Sequence, residues 1–413
     1  MKLTTESKHI LSYLQNNTAH SDYILQPNTL HILRELYNAI VTAQNYISVE
    51  KQKQGSDFYN PTYEVIHTEK QIPKPKTFNY NSFPLQIRDH IQNTAFNKLH
   101  YGFSLFERKI NIVFVTETNV ETNIAAFNKY VDTILTWLYI LNDQASTHCS
   151  KIITIYLYFT SHEKCIPTMN VDILDEIHVN SAFTTTCPVN SEIVIFRKEE
   201  WLKVLIHETF HNFGLDFSDS NTDNCKKEIL KLFPVKSEVN LYEGYTECWA
   251  EIINISFCSF HLIKKRSFEL FINEFKLLML YEIKYSFFQV TKVLDFMGLK
   301  YRDLHSNTSY SKTSRETLYK ENTSVLAYYV IKTVLINNFQ GFLSWCDKNN
   351  VTLLQFKKTP NNELEFCKFI KRNYKTTSMI NNITAMEQLL QHHKKKGKDF
   401  IMTNLRMTAC ELS

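Results

Sequence analysis

One stretch of the chain, residues 201–214, constrains the fold more than any other. It carries His207, Glu208 and His211 in the spacing H-E-x-x-H, and no proline or glycine interrupts it before Gly214. The pattern predicts a helix that Gly214 ends. Four residues advance a helix by about one turn, so both imidazoles project from one face. Two imidazoles so placed can bind one Zn²⁺ ion, and Glu208 can reach a water beside it.

The residues around this motif favour a metal site over the plainer alternative, a core helix that happens to contain two histidines. A strand-like run at 192–197 precedes the helix, and Trp201, Val204, Leu205 and Phe210 supply an apolar side that a core would bury. A buried His-Glu-His cluster without a metal would leave polar groups that are costly to satisfy. The sequence therefore predicts that the motif binds metal.

The third protein ligand distinguishes the classes of protein that use this motif. In the spacing H-E-x-x-H-x-x-G-x-x-H the third ligand is a histidine three residues after a glycine. This chain has Gly214 at the glycine position, but Phe217 occupies the ligand position and cannot bind metal. Asp216 lies one residue too early. The spacing thus excludes the metzincin class.

A second helix-like segment, residues 240–251, supplies glutamates as alternative ligands. Its run Tyr242-Glu243-Gly244-Tyr245-Thr246-Glu247 resembles the N-E-A/G-φ-S/A-D/E segment of thermolysin-like and M1-type aminopeptidase gluzincins, where φ is apolar or aromatic. The resemblance implies that Glu243 binds zinc and that Glu247 supports a ligand histidine from behind. A shifted register remains open, in which Glu247 is the ligand and Glu251 the support. Tyr242 departs from the usual asparagine, and the gap from His211 is longer than usual.

The resemblance covers about residues 180–255 and implies an α+β fold with a zincin-like core. That core would have a small mixed sheet with the motif helix, followed by a helical subdomain. The same region resembles, more loosely, uncharacterised predicted metallopeptidases of large DNA viruses. We expect a mostly helical region at 1–100, the sheet subdomain at 101–220, the helical subdomain with the third ligand at 221–345 and a helical extension at 346–413.

Local patterns predict the individual elements of this arrangement. Alternating and β-branched residues predict strands at 110–115, 152–159 and 192–197, and an amphipathic pattern predicts a helix at 123–141. Further along, the sequence predicts helices at 227–233, 241–260, 264–297 and 315–340.

Two further groups of residues are candidates for contact with a substrate. Asn180, Ser181, Ala182 and Phe183 are predicted to form an edge strand that binds an extended peptide through main-chain hydrogen bonds. The alternative is an ordinary surface hairpin. A donor for a developing oxyanion is also needed, and Tyr328, Tyr329 and His305 are the candidates, against the alternative that these aromatics lie in the core.

Composition limits the partners and the compartment. The chain has 46 basic and 42 acidic residues, a balance that does not indicate nucleic acid or a membrane surface as partner. The lysine run at 394–398 is expected to be a solvated face. Residues 1–8 contain no apolar run, so a secretory signal is not expected, and the nine scattered cysteines are expected to be reduced. We expect a cytoplasmic location, or the virion if the chain is viral; the oligomeric state stays open.

The sequence as a whole favours a metallopeptidase with one Zn²⁺ ion, with Glu208 as general base and a peptide or protein as substrate. The segment at 180–183 lacks the glutamate of the M1 G-x-M-E-N motif, which favours an endopeptidase or an unassigned specificity over an aminopeptidase. Three alternatives remain: an inactive zincin-fold scaffold, a zinc hydrolase of a non-peptide amide or ester, and a chance H-E-x-x-H within a helical protein.

Overall fold

The computed structural model describes residues 1–19, 22–169, 171–395, 397 and 399–413, so Lys396 and Lys398 of the lysine run lie outside the described residues. The chain divides into two compact units. We call residues 31–163 and 181–215, with Met1, the sheet unit. Residues 2–30, 164–180 and 216–413 form the helical unit.

The helices are distributed along the whole chain. The α-helices are α1 (Thr5–Asn17), α2 (Pro27–Gln54), α3 (Leu85–Thr94), α4 (Ile124–Asn142), α5 (Glu176–Val179), α6 (Trp201–Asn212), α7 (Asp223–Leu232), α8 (Leu241–Leu262), α9 (Phe268–Phe296), α10 (Tyr301–His305), α11 (Ser309–Leu318), α12 (Lys332–Asn337), α13 (Phe339–Asn349), α14 (Pro360–Asn373), α15 (Thr377–Lys394) and α16 (Phe400–Thr403). A π-helical turn spans Leu326–Ile331, and short 3₁₀ turns span Gly55–Phe58, Glu69–Gln71 and Glu121–Asn123.

The strands form one sheet in the described part of the sheet unit. They are β1 (Thr62–Val65), β2 (Asn97–Leu105), β3 (Arg108–Thr116), β4 (Ile152–Phe159), β5 (Ala182–Thr184) and β6 (Asn190–Ile195). Their order is β1-β2-β3-β4-β6-β5. The central strands β3, β4 and β6 are parallel, whereas β1, β2 and β5 run antiparallel to their neighbours. The short β5 therefore lies at one edge of a mixed sheet.

Helix α4 connects the parallel strands β3 and β4 and fixes the position of α6. Its inward residues are apolar and buried, among them Trp137 and Leu138. The indole Nε1 of Trp137 donates to Oγ1 of Thr209 over 2.8 Å, in the middle of α6. Thr209 in turn donates to the carbonyl of Ile206 over 2.7 Å. A directional bond inside an apolar interface sets the rotation of α6 about its axis as well as its distance from α4.

The helical unit has a core built on α8 and α9. Almost every residue of α8 is buried, a pattern typical of a helix surrounded by protein on all sides. Residues from 216 onward contribute an aromatic cluster, in which Phe217 packs against Tyr242, Phe356 and Phe366 with ring centroids 4.3–6.2 Å apart. Phe217 thus contributes to the core of this unit.

An extended segment, residues 404–412, threads through the core of the helical unit and is buried along its length. Side chains from separate helices bind its backbone. Tyr329 donates to the carbonyl of Leu405 over 2.8 Å, and Asn254 donates to that of Cys410 over 2.8 Å. The amide of Ala409 donates to a carboxylate oxygen of Glu282 over 3.0 Å. These bonds replace the partners that a strand neighbour would provide.

The mixed α+β architecture is confirmed, and the predicted strands at 110–115, 152–159 and 192–197 correspond to β3, β4 and β6. Residues 1–100, predicted to be mostly helical, contain β1 and the start of β2 in addition to their helices. One predicted element differs: the helix expected at 315–340 is interrupted between α11 and the π-helical turn. The region 346–413 contains α14, α15 and α16, and its residues 404–412 are extended. Among the described helices, none has the length and apolar character needed to span a bilayer.

Candidate metal site

Helix α6 presents the motif from within the core of the sheet unit. Its residues are buried except His211, which is half-buried. His207 and Glu208 are only 6% and 7% exposed to solvent. The apolar residues predicted to bury one side, including Trp201, Leu205 and Phe210, lie in the core. The helix ends at Asn212, and Gly214, two residues further on, has a φ of +66°, the left-handed conformation expected after a C-terminus.

The two histidines face each other on α6. Their Nε2 atoms lie 3.1 Å apart, and their ring centroids are 4.9 Å apart. Tetrahedral coordination with zinc–nitrogen distances of about 2.0–2.1 Å requires two nitrogens to be separated by roughly 3.3 Å. The observed separation is close to that value. The helix therefore holds the two imidazoles almost as a shared metal ion requires.

Glu243, in the first turn of α8, completes a group of three potential ligands. His207, His211 and Glu243 each offer one ligand atom, and these atoms all lie within 4.8 Å of one another. Two imidazoles and one carboxylate are a donor set of catalytic zinc sites, which leave a fourth position open. The residues present thus fit a single metal ion of this kind.

The other two glutamates of α8 have different surroundings. Glu251 accepts from Nζ of Lys332 over 2.6 Å in the core of the helical unit. Burial raises the pKa of Glu251 well above its usual range, and the positive charge of Lys332 opposes that shift. Glu247 is buried one turn beyond Glu243 and is not part of the three-residue group among the described residues. This arrangement favours Glu243 over the shifted register as the source of the third ligand.

Gly244 allows α8 to approach its neighbour closely. A Cβ atom at this position would lie 2.9 Å from Cγ2 of Ile331 and 3.5 Å from the carbonyl oxygen of Ala327. Both neighbours belong to the π-helical turn. π-Helical turns are rare and occur frequently at functional sites. A glycine after Glu243 therefore permits the close contact between α8 and this turn, which a larger residue would obstruct.

In the metzincin spacing the third ligand would fall at Phe217, one residue after Asp216. Both residues have structural roles in the helical unit. One carboxylate oxygen of Asp216 accepts from Oγ of Ser218 over 2.9 Å, and the other accepts from Oγ1 of Thr246 over 3.3 Å. Thr246 lies on α8, so Asp216 anchors the helix that carries Glu243. Phe217 occupies the aromatic cluster described above.

The predicted edge strand exists but begins later than expected. Ala182 and Phe183 lie in β5, whereas Asn180 and Ser181 precede it. Asn180 belongs to the helical unit, where its Oδ1 accepts from Oγ1 of Thr323 over 2.9 Å. Phe183 packs against Phe83, with ring centroids 5.5 Å apart. The position of β5 at the sheet edge is confirmed, and its contact with a substrate stays a prediction.

The candidate oxyanion donors have contrasting environments. Tyr328 is half-buried within the π-helical turn that packs on Gly244. Tyr329 is fully buried, and its hydroxyl donates to the carbonyl of Leu405, which does not favour the predicted role. His305 packs against Tyr301 and Tyr374, and burial, reinforced by the charge of Lys375, lowers its pKa to about 4. It is therefore neutral near pH 7.

Some residues that shape the site carry no recognisable sequence pattern. The bond from Trp137 to Thr209 joins residues far apart in the chain. A disulfide joins Cys149 to Cys187, contrary to the expectation that all nine cysteines are reduced; the other seven are free thiols. The two cysteines are separated by 38 residues and lack a motif, so their pairing depends on the folded sheet.

Comparisons with protein-family models, with curated proteins and with solved structures found no match to this chain.

Proposed function

We propose that the chain is a zinc-dependent metallopeptidase that hydrolyses peptide bonds. The observation that carries the proposal is the convergence of His207, His211 and Glu243, with ligand atoms within 4.8 Å of one another, beside Glu208. A Zn²⁺ ion bound there would supply Lewis acidity and lower the pKa of its water towards about 7.

The residues of the chain supply the proton transfers. Glu208 is adjacent to the first ligand in a largely buried position, so its carboxylate is suited to take a proton from the attacking water. The same carboxyl group then delivers that proton to the leaving nitrogen. Tyr328 is the candidate to donate a hydrogen bond to the carbonyl oxygen as negative charge develops there. An intact Glu208 disfavours the inactive-scaffold alternative, because a structural metal site has no use for a base.

The edge position of β5 supports a peptide as the substrate. A strand that has a neighbour on one side only can pair with an extended chain through main-chain hydrogen bonds. Such pairing depends little on side chains, which fits an endopeptidase. A non-peptide amide or ester would gain nothing from this edge.

The deciding experiment compares the wild type with Glu208→Gln. The glutamine is isosteric but cannot accept the proton, so zinc content measured by atomic absorption should be unchanged while cleavage of a peptide library falls by at least about 100-fold. Chelation should abolish wild-type cleavage, and added zinc should restore it. Undiminished cleavage by Glu208→Gln would refute the mechanism, and a zinc-free wild type would refute the metal site.

A further inference from the structure

A disulfide bond packs against the end of the helix that carries the motif. Cys149 and Cys187 are joined, and a Cβ atom on Gly214 would lie 3.4 Å from Cβ of Cys187 and 3.7 Å from both sulfur atoms. Gly214 lies three residues after His211 and two residues past the end of α6. The cross-link therefore lies beside Gly214, just past the end of α6, with room between them for little more than one methyl group.

Hydrogen bonds connect the C-terminal turn of α6 to the loop of Cys149 and to the sheet edge. Oγ of Ser150 donates to the carbonyl of Asn212 over 3.2 Å and also contacts its side-chain oxygen. Nδ2 of Asn212 donates to Oγ1 of Thr184 over 2.8 Å. Thr184 is the last residue of β5. One asparagine thus connects the end of α6 with both the loop and the edge strand.

A buried arginine strengthens this connection. Arg108 donates through Nη1 to the carbonyl of Cys149 and through Nε to Oδ1 of Asn142 over 3.2 Å. Its guanidinium lies 4.9 Å from the ring centroid of Phe213, the residue between Asn212 and Gly214. A desolvated cation over the face of an aromatic ring is stabilising. Arg108 therefore binds the cysteine loop and the helix end at once.

The partner cysteine lies in a strained turn. Cys187 has φ of +48°, in the left-handed region that non-glycine residues rarely adopt. It belongs to the turn between β5 and β6, where the carbonyl of Pro188 accepts from the amide of Ser150 over 2.7 Å. A conformation of this kind is unfavourable for a residue other than glycine and persists only when surrounding bonds hold it. The disulfide is one of those bonds.

We propose that the Cys149–Cys187 disulfide is a positioning element of the metal site. It holds the C-terminal turn of α6, and so the orientation of His211, together with β5. Loss of the cross-link therefore weakens zinc binding and raises KM for a peptide, without removing any ligand. The inference rests on the proposed function insofar as it assumes that His207 and His211 bind metal.

The cross-link also makes the site sensitive to a dithiol reductant. Cys187 is half-exposed and Cys149 is buried, so a thiolate of the reductant attacks the sulfur of Cys187, and Cys149 leaves as a thiolate that takes up a proton. The second thiol of the reductant then displaces Cys187. Two electrons pass to the protein, which gains two thiols, and the reductant becomes a cyclic disulfide.

The test compares a Cys149→Ser/Cys187→Ser variant with Cys165→Ser, which removes an exposed cysteine outside the bond. Zinc affinity is measured by competition with a chromophoric chelator. We expect the double variant to bind zinc about 10–100-fold more weakly, the effect of losing support for a ligand, and Cys165→Ser to match the wild type. KM for a peptide should rise more than kcat falls. Unchanged zinc affinity in the double variant overturns the proposal.

Hydrogen exchange provides a measurement that does not depend on metal or on folding of the variant. Wild-type protein is reduced with dithiothreitol, desalted without oxygen and compared with the oxidised form. Amides of α6 and β5 should exchange at least about tenfold faster after reduction, while those of α9 in the helical unit stay unchanged. Equal exchange in both forms would contradict the positioning role. An oxidised wild type that binds no zinc would instead refute the proposed function, leaving the exchange result to decide this inference.

Discussion

Lys332 donates to Glu251 over 2.6 Å inside the helical unit, where the two side chains are 1% and 0% exposed. Nζ of Lys332 also donates to the carbonyl of Met407 over 3.3 Å, in the extended segment 404–412. Removing a charged group from water is unfavourable, and in the buried pair the attraction between the opposite charges offsets this penalty. Either group buried alone would have no such compensation. The pair joins α8, α12 and that segment.

Replacing only one member of this pair should be strongly destabilising. Lys332→Met leaves the buried carboxyl group of Glu251 without its partner, and we expect the free energy of unfolding to fall by up to about 3–5 kcal/mol, and by less where the group takes up a proton. The double variant Lys332→Met/Glu251→Leu should recover most of that loss. Urea denaturation followed by circular dichroism measures both variants and the wild type. Equal losses in the single and double variants would show that the two charges are not coupled.

The assignment of the third ligand predicts different effects for two glutamates on α8. Glu243→Ala should weaken zinc binding by more than about 100-fold, the most that loss of a supporting residue causes, whereas Glu247→Ala should cost about 10–100-fold. Competition with a chelator at pH 7 gives both affinities. If Glu247→Ala has the larger effect, the shifted register is correct.

Adjacent tyrosines of the π-helical turn offer a matched pair for testing the oxyanion donor. Tyr328→Phe should lower kcat by about 100–1000-fold with little change in KM, as expected for a donor used in the transition state. Tyr329→Phe should leave kcat near the wild-type value and cost about 1 kcal/mol of stability, because it removes the bond to Leu405. Equal rates for Tyr328→Phe and the wild type would exclude Tyr328.

The close approach of α8 to the π-helical turn predicts a steric effect at Gly244. Gly244→Ala places a methyl group 2.9 Å from Cγ2 of the buried Ile331, so we expect a loss of about 1–3 kcal/mol in thermal or urea unfolding. Gly102→Ala, in β2, is the control, because no heavy atom lies within 4 Å of its added Cβ. A neutral Gly244→Ala would mean that the turn moves aside freely.

The stability of the chain should fall at mildly acidic pH. Burial, reinforced by the charge of Arg266, lowers the pKa of His261 to about 4 from its ordinary 6.5. Between these values the unfolded chain binds a proton that the folded chain does not. The free energy of unfolding therefore falls as the pH drops from 6.5 to 4, by at most about 1.4 kcal/mol per pH unit for this group, and less where water screens it.

The variant His261→Gln isolates this contribution. Its unfolding free energy should depend less steeply on pH than that of the wild type between pH 6.5 and 4, since glutamine does not titrate. His305, with its pKa also lowered to about 4, contributes in the same direction and remains in the variant. Parallel pH profiles for the two proteins would show that His261 is protonated in the folded state.

The parts of the site that depend on short-range spacing could be predicted from the sequence. The helical repeat places His207 and His211 together, and the β-branched run of 152–159 corresponds residue for residue to β4. The resemblance of its segment, and not periodicity, indicates Glu243. The predicted start of β5 lies two residues too early, because no proline or glycine marks where the strand begins.

The remaining features depend on contacts between residues distant in the chain. Trp137 meets Thr209, Cys149 meets Cys187, and Lys332 meets Met407 only after folding. Buried and more exposed residues alternate along β2. The sequence pattern does not indicate this strand clearly, because β2 contains several polar residues and a glycine. The sequence of segment 404–412 resembles neither an amphipathic helix nor a surface loop. Its backbone groups form hydrogen bonds with side chains of residues distant in the chain, among them Asn254, Glu282 and Tyr329.

The buried segment 404–412 affects the order in which parts of the protein can fold during synthesis. Within the helical unit, residues far apart in the sequence are in contact: Leu3 pairs with Leu412, and Oγ of Ser7 accepts from the amide of Glu411 over 2.8 Å. Contacts that span so much sequence form slowly, and during synthesis they cannot form until the last of these residues leaves the ribosome. The core of the helical unit is therefore completed only after residues 404–412 have been synthesised, whereas α6 is made earlier.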